Sequence, residues 1–408
     1  MNVIRKLLLL GALLALAQIL GRTALALSSA DSLENLPQSP LDRAENNSDK
    51  ADGSDKSTET PNAPLHQFLL STLVLPLPPL LIPDLLLPPY NFPSFNSHRL
   101  DQELRLYTQY LRTTGTPDIL IVGSSRSLQG IDPIAMQTAL VKQGYPKLKI
   151  FNFGINGGTA KVNELLLRRI LTAEQLPRLI IWGDGSRAFN NGRPDLTYNG
   201  IVASEGYRRL ASGDRPIPSH ARWDLPVLRA AANKALSSPP SSAAEPSSDL
   251  DANGFQSISG VYNPDTYYQR YPWVPGSYDA DYQRFNLNGE QQKATVAVAQ
   301  FAKSRNVPLA FVNLPLTADY LDATRLSYEQ QFRQSMQKLA RQSEFIFCDL
   351  SQQQDLMQNA YFADPSHINR AGAEAIAIYL TSLRSIPWTM FKADSEANAA
   401  ANTAVPDQ

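Results

Sequence analysis

The sequence predicts an α/β fold, a three-layer α/β/α sandwich around a parallel five-stranded sheet. Two observations carry this. Five short apolar runs recur along the chain, at residues 118–122, 148–153, 179–182, 309–314 and 345–350. Amphipathic stretches at helical spacing separate them. Runs so continuous belong to strands buried on both faces, and helical crossovers between them make the sheet parallel.

Each element has its own signal. Leu100, Leu104, Tyr107 and Leu111 repeat at helical spacing ahead of the first strand, Asp118–Val122. Asp132-Pro133 caps and opens a helix running to about Gln143. Leu148–Phe153 is the second strand, Val162–Leu171 a helix, and Leu179–Trp182 the third strand. After an irregular middle come a helix over Gly289–Ser304 and a strand at Leu309–Leu314. A helix over Arg325–Arg341, a strand at Phe345–Leu350 and a last helix over Arg370–Leu383 complete the series.

The flanks differ in character. Arg5 and Lys6, an apolar run Leu7–Leu20 and the small residues Ala24 and Ala26 give residues 1–26 the layout of a secretory signal. The run is short for a membrane span of about 20 residues, so the reading is a cleaved signal or an N-terminal anchor. Residues 27–63 are rich in Ser, Asp, Asn and Glu and read as a disordered acidic linker. Residues 64–95 form a Leu/Pro-rich strap, lying either over the domain's apolar surface or on a membrane. The domain spans 96–386, with a low-complexity insertion at 237–254 and a disordered tail at 387–408. The chain is expected outside the cytoplasm, periplasmic or membrane-tethered.

Composition excludes some functions. The 408 residues carry 37 basic and 38 acidic side chains, and no basic run breaks that balance, so no nucleic-acid partner is expected. A single cysteine, Cys348, makes neither an intramolecular disulfide nor a Cys-based zinc site. No metal or cofactor is expected.

In a parallel sheet, ligands bind beyond the carboxyl ends of the strands. Gly123-Ser124-Ser125-Arg126 follows the first strand, Gly154-Ile155-Asn156-Gly157-Gly158 the second, and Gly183-Asp184-Gly185-Ser186-Arg187 the third. Asp364-Pro365-Ser366-His367 precedes the last helix. A serine becomes a nucleophile when a base takes its proton and a carboxylate orients that base. Asp364 and His367, three apart, supply the second pair locally. Ser125 sits at the rim, Asn369 can cap the helix behind it, and the Ser125 and Gly157 amides are candidate oxyanion donors.

These residues resemble the blocks of the SGNH (GDSL-like) hydrolase superfamily. Gly123-Ser124-Ser125 stands where the family has Gly-Asp-Ser, Gly157 at its second-block glycine, and Asp364-Pro365-Ser366-His367 at its Asp-x-x-His. The stretch 117–130 is similar to an uncharacterised cyanobacterial SGNH-like family of unknown function. The resemblance covers about residues 96–386. It implies a flavodoxin-like sandwich of strand order 2-1-3-4-5, Ser125 as nucleophile, His367 as base and Asp364 as orienter. It fails at the third block, where Gly185 replaces the asparagine whose amide donates to the oxyanion; Asn190 or Asn191 are candidate replacements.

Three further residues are weaker substrate-binding candidates. Arg126 would recognise an anionic or carbohydrate group, or make a structural ion pair. Asp184 is a polar site residue or a turn aspartate pairing Arg187. Trp273, in the aromatic stretch from Tyr262 to Tyr282, would stack on a sugar or acyl group, or belong to a lid that touches no ligand. The function expected is an exported serine esterase or O-acyltransferase on ester substrates such as O-acetylated glycans. The alternative is a catalytically impaired module for glycan binding or envelope assembly, and a weaker third reading is a tethered envelope scaffold.

Overall fold

The computed structural model describes residues 90–218 and 249–392. The expected N-terminal signal or anchor and acidic linker, His66, His220, most of the expected strap and insertion, and the tail beyond 392 lie outside them. Five parallel strands, β1 (Ile119–Gly123), β2 (Ile150–Gly154), β3 (Leu179–Asp184), β4 (Leu309–Asn313) and β5 (Ile346–Asp349), pair in the order 2-1-3-4-5. This is the flavodoxin-like order, and it creates a switch point between β1 and β3.

The helices are α1 (His98–Thr113), α2 (Ser125–Gly130), α3 (Pro133–Lys142), α4 (Ala160–Leu165), α5 (Leu196–Val202), α6 (Glu205–Ala211), α7 (Pro264–Arg270), α8 (Glu290–Ser304), α9 (Ala323–Ser343) and α10 (Arg370–Ser382). Local chemistry sets their starts. Ser97 accepts from the Leu100 amide at the head of α1, and Asp132 accepts from Ile134 and Ala135 with Pro133 at the first position of α3.

Strand alternation divides the core into two layers. Leu120, Val122, Ile180, Trp182 and Phe311 pack with α1, α4, α8 and α9. Ile119, Ile121, Leu179, Ile181 and Val312 pack with α3 and α10. A period of two sends successive side chains to opposite faces, so a strand apolar at every position is covered on both. The expected three-layer sandwich is the observed one.

Differences lie at margins and short helices. Residues 387–392 are not a frayed tail: Trp388 and Phe391 are buried in the α3/α10 layer. At the other end Phe95 is buried, with Tyr90 and Phe92 packed on the same cluster. Of the insertion, Asp249 pairs Arg99, and Asn253 O accepts from Asn152 N, capping the free edge of β2. Helix α2 was unpredicted because six residues are too few to show a period.

The strand ends are built for close approach. Gly123 has φ +142°, and a Cβ there would lie 2.0 Å from Gly183 O; a Cβ on Gly154 would lie 2.6 Å from the backbone of Leu128. A side chain at Gly123 would strike the backbone of β3, and one at Gly154 would push α2 off the sheet. Their absence seats α2, and Ser125 at its head, directly over the switch point.

Candidate active site

Ser125 is the first residue of α2. Ser124 caps that helix: its Oγ accepts from the Arg126 amide and donates to Asp184 Oδ1 at 2.9 Å. The Ser124 amide donates to Asp184 Oδ2 at 3.2 Å. Asp184 thus clamps the turn that presents Ser125 from the end of β3.

The structure brings Ser125, His367 and Asp364 into one line. Ser125 Oγ lies 3.0 Å from His367 Nε2, and His367 Nδ1 lies 2.7 Å from Asp364 Oδ2. With Nδ1–H donating to the carboxylate, Nε2 is left as acceptor for the serine hydroxyl. Asp364 Oδ1 also accepts from the amides of Ser366 (2.8 Å) and His367 (2.9 Å). Burial pushes the Asp364 carboxyl up, but the hydrogen bond and charge of His367 and those two amides bring it down to about 2. It is ionised throughout the neutral range.

The Asp364–His367 turn is anchored behind. Asn369 Oδ1 accepts from Gly372 N at the start of α10, and its Nδ2 donates to Gly260 O, Ala360 O and Phe362 O. Thr317, just beyond β4, donates through N and Oγ1 to Pro365 O. One buried asparagine therefore caps the helix and fixes the turn.

A cavity of about 170 Å³ opens beside Ser125, lined by that residue, Arg126, Gly157, Arg187, Arg193 and His367 among others. Gly157 has φ +68°, the left-handed region, and a Cβ there would lie 2.5 Å from Thr197 Oγ1. Among the described residues neither the Ser125 amide nor the Gly157 amide has an acceptor. A second cavity of about 160 Å³ shares Gly157 and Arg193 and is walled by Thr159, Asp195, Thr197 and Gln291.

The weaker candidates divide. Asp184 is in the site but does not pair Arg187. It is 1% exposed and holds Ser124, while Arg187 and Arg193 share Asp281 at 3.3 and 3.1 Å. The clamp on Ser124 uses both Asp184 oxygens, and a carboxylate 94 residues away in sequence reaches Arg187. Burial pushes Asp184 up to about 6, against the pull of Arg126 and of the Ser124 and Gly185 hydrogen bonds. Arg126 lines the cavity and is 4% exposed, with Nη2 donating to Leu314 O and Pro315 O rather than to a carboxylate.

Trp273 is not among the residues lining either cavity. It is 43% exposed and lies against the Arg325 guanidinium, which is fixed by Asp279. Its neighbours are occupied too: Tyr262 donates to Asp319 and Tyr282 to Glu329. Asn190 and Asn191 do not reach in as amide donors. Asn190 Nδ2 donates to Asp281 O and Gln283 O, and Asn191 Nδ2 to Phe189 O and Asn286 O. His98 is exposed at the head of α1. Arg193 was not singled out from the sequence, since a loop with no periodic signal delivers it; Arg187 was, but only as a turn partner.

No protein-family model matches the chain, and no curated protein matches it. Among solved structures it is similar to the acetyl xylan esterase AlAXEase, at 12% identity and a TM-score of 0.31 over 65% of this chain and 100% of that one. It is also similar to LAE5, an alpha/beta hydrolase enzyme from the metagenome of Lake Arreo, Spain, at 12% identity and 0.33 over 65% and 94%. A third is a catalytic mutant of Axe2, an acetylxylan esterase from Geobacillus stearothermophilus, at 13% identity and 0.35 over 67% and 95%.

Proposed function

We propose that the chain is a serine esterase of the SGNH type, acting outside the cytoplasm through an acyl-enzyme on Ser125. The observation that supports this most is the Ser125–His367–Asp364 line, set beside two amides without acceptors among the described residues. A hydroxyl at 3.0 Å from a correctly tautomeric imidazole, with an ionised carboxylate behind it, is equipped for proton transfer.

In the forward step Ser125 Oγ bonds to the ester carbonyl carbon as its proton passes to His367 Nε2. The carbonyl oxygen takes up the negative charge within reach of the Ser125 and Gly157 amides. Collapse breaks the C–O bond to the alcohol, which leaves with the proton from His367. Water then attacks the acyl-enzyme with His367 as base, or a sugar hydroxyl does so and the reaction is acyl transfer. Asp364 stays ionised and steadies the imidazolium. None of these steps requires a metal or cofactor.

The small, polar cavity suits a short acyl group, such as acetyl, on a polar alcohol, and the cavity beyond Gly157 offers that alcohol a place. O-acetylated glycans have this chemistry, and a chain exported by residues 1–26, or tethered through them or the strap, would meet them. One observation favours the second reading, an impaired glycan-binding or envelope-assembly module: residue 185 is glycine and offers no side-chain amide.

Turnover of p-nitrophenyl acetate and of an O-acetylated glycan by the full chain tests the proposal. The expected loss in Ser125→Ala is about 10³-fold or more, at a melting temperature close to that of the parent. Retained turnover in Ser125→Ala would refute the nucleophile assignment.

A further inference from the structure

Gly185 is glycine for a reason that its backbone does not explain. Its φ of −158° and ψ of −178° are extended geometry that any residue adopts. What excludes a side chain is Arg126: a Cβ on residue 185 would lie 1.8 Å from Arg126 Nη1 and 3.1 Å from its Cζ. The guanidinium occupies the space into which a residue-185 side chain would project.

That guanidinium is incompletely used. Nη2 is held by Leu314 O at 2.7 Å and Pro315 O at 2.6 Å. Nε is buried without a partner. Among the described residues no hydrogen bond is found for Nη1 either. Asn313 Oδ1, 3.8 Å from the same Cβ position, is also unpartnered and so does not hold it. Leaving a buried charged donor such as Nε unpaired is costly. Arg126 lines the cavity that Ser125, Gly157 and His367 share, so a ligand bound there can accept from Nη1, while Nε is shut off from it.

We propose that Arg126, through its Nη1 edge, is a catalytic residue that donates to the oxyanion formed when Ser125 adds to the ester carbonyl. The assignment rests on the serine-esterase reading above. A side-chain amide from residue 185 is replaced by a charged donor from residue 126, held in place by two backbone carbonyls. The guanidinium stays protonated at working pH and makes charge-assisted hydrogen bonds stronger than those of an amide. Binding strengthens as the carbonyl oxygen gains charge, so the contribution falls on kcat more than on KM.

Steady-state kinetics with p-nitrophenyl acetate test it, using the full chain, Arg126→Met, Arg126→Lys and the double variant Arg126→Ala/Gly185→Asn. Loss of one oxyanion donor lowers kcat by about 10²–10³-fold, and KM should move far less. The double variant removes the guanidinium that blocks residue 185 and supplies an amide there, so it should recover about tenfold or more of the loss. Arg126→Lys, which keeps charge but not the two-edged geometry, stays impaired and reports on the site if Arg126→Met does not fold.

A folded Arg126→Met with kcat within about threefold of the parent overturns the proposal. So does a kcat loss that the double variant does not recover, which would leave Arg126 as a brace for Leu314 and Pro315. If the parent chain neither turns over ester nor reacts with a fluorophosphonate, the serine-esterase reading fails first and this assignment falls with it.

Discussion

Replacing Asp184 by asparagine should change how stability depends on pH, because burial raises this carboxyl. Asp184 is 1% exposed, and burial raises its carboxyl from 3.8 to about 6. Holding it ionised in the folded state therefore costs about 3 kcal/mol relative to the unfolded chain. A raised acid binds its proton more tightly when folded, so the stability it contributes is fully present below the unfolded value and lost as pH rises through about 6. Between pH 8 and pH 4.5 the difference amounts to about 2 kcal/mol.

Asparagine removes that dependence at a price in hydrogen bonding. The carboxylate accepts from Ser124 N, Ser124 Oγ and Gly185 N. An amide can satisfy only part of this set, at a loss of about 1–3 kcal/mol. At pH 8 the two effects nearly cancel, and Asp184→Asn should be about as stable as the parent. At pH 4.5 the parent should be ahead by about 2 kcal/mol more than at pH 8. Urea unfolding of both proteins at the two pH values measures the difference. A difference flat to within about 0.5 kcal/mol would mean that Asp184 is not the buried carboxyl described here.

Other outcomes follow from the same geometry. Asp364→Asn leaves His367 free to take the wrong tautomer and should lower kcat by about 10⁴-fold in ester assays; a loss under tenfold would remove Asp364 from the relay. Gly157→Ala forces an L residue to φ +68° against Thr197 and should cost about 1–2 kcal/mol in a thermal melt, together with a fall in kcat. No change in either would mean that the second-strand turn is not held as described. Trp273→Ala should leave kcat/KM for p-nitrophenyl acetate unchanged within about twofold, because the indole lies on Arg325 outside both cavities. A large rise in KM would return Trp273 to the substrate path.

Much of this arrangement was legible in the sequence because its parts are local. The five strands are each continuous, and Asp132-Pro133 announces its helix without help from distant residues. Asp364 and His367 are three apart, so one turn suffices to pair them, and Ser125 stands at a strand end by count alone. What could not be read depends on contacts across long stretches of chain. Arg126 looks like a free cation beside a serine until Leu314 and Pro315, 188 and 189 residues on, take its Nη2. Arg187 looks like a partner for Asp184 three residues away, but Asp281 takes it. Trp388 and Phe391 lie next to an Ala/Asn-rich tail, whose composition masked two buried aromatics. The aromatic run 262–282 could be stacking surface or packing by composition, and its hydrogen bonds to Asp319 and Glu329 decide for packing in those positions.

The central claim is that Ser125 is an activated nucleophile, and a fluorophosphonate tests it most directly because no substrate need be known. The full chain is treated with the probe, and intact mass and a peptide map locate the adduct. The account predicts a single adduct on Ser125, absent in His367→Ala. A folded protein that takes no label, or takes it equally without His367, would contradict it.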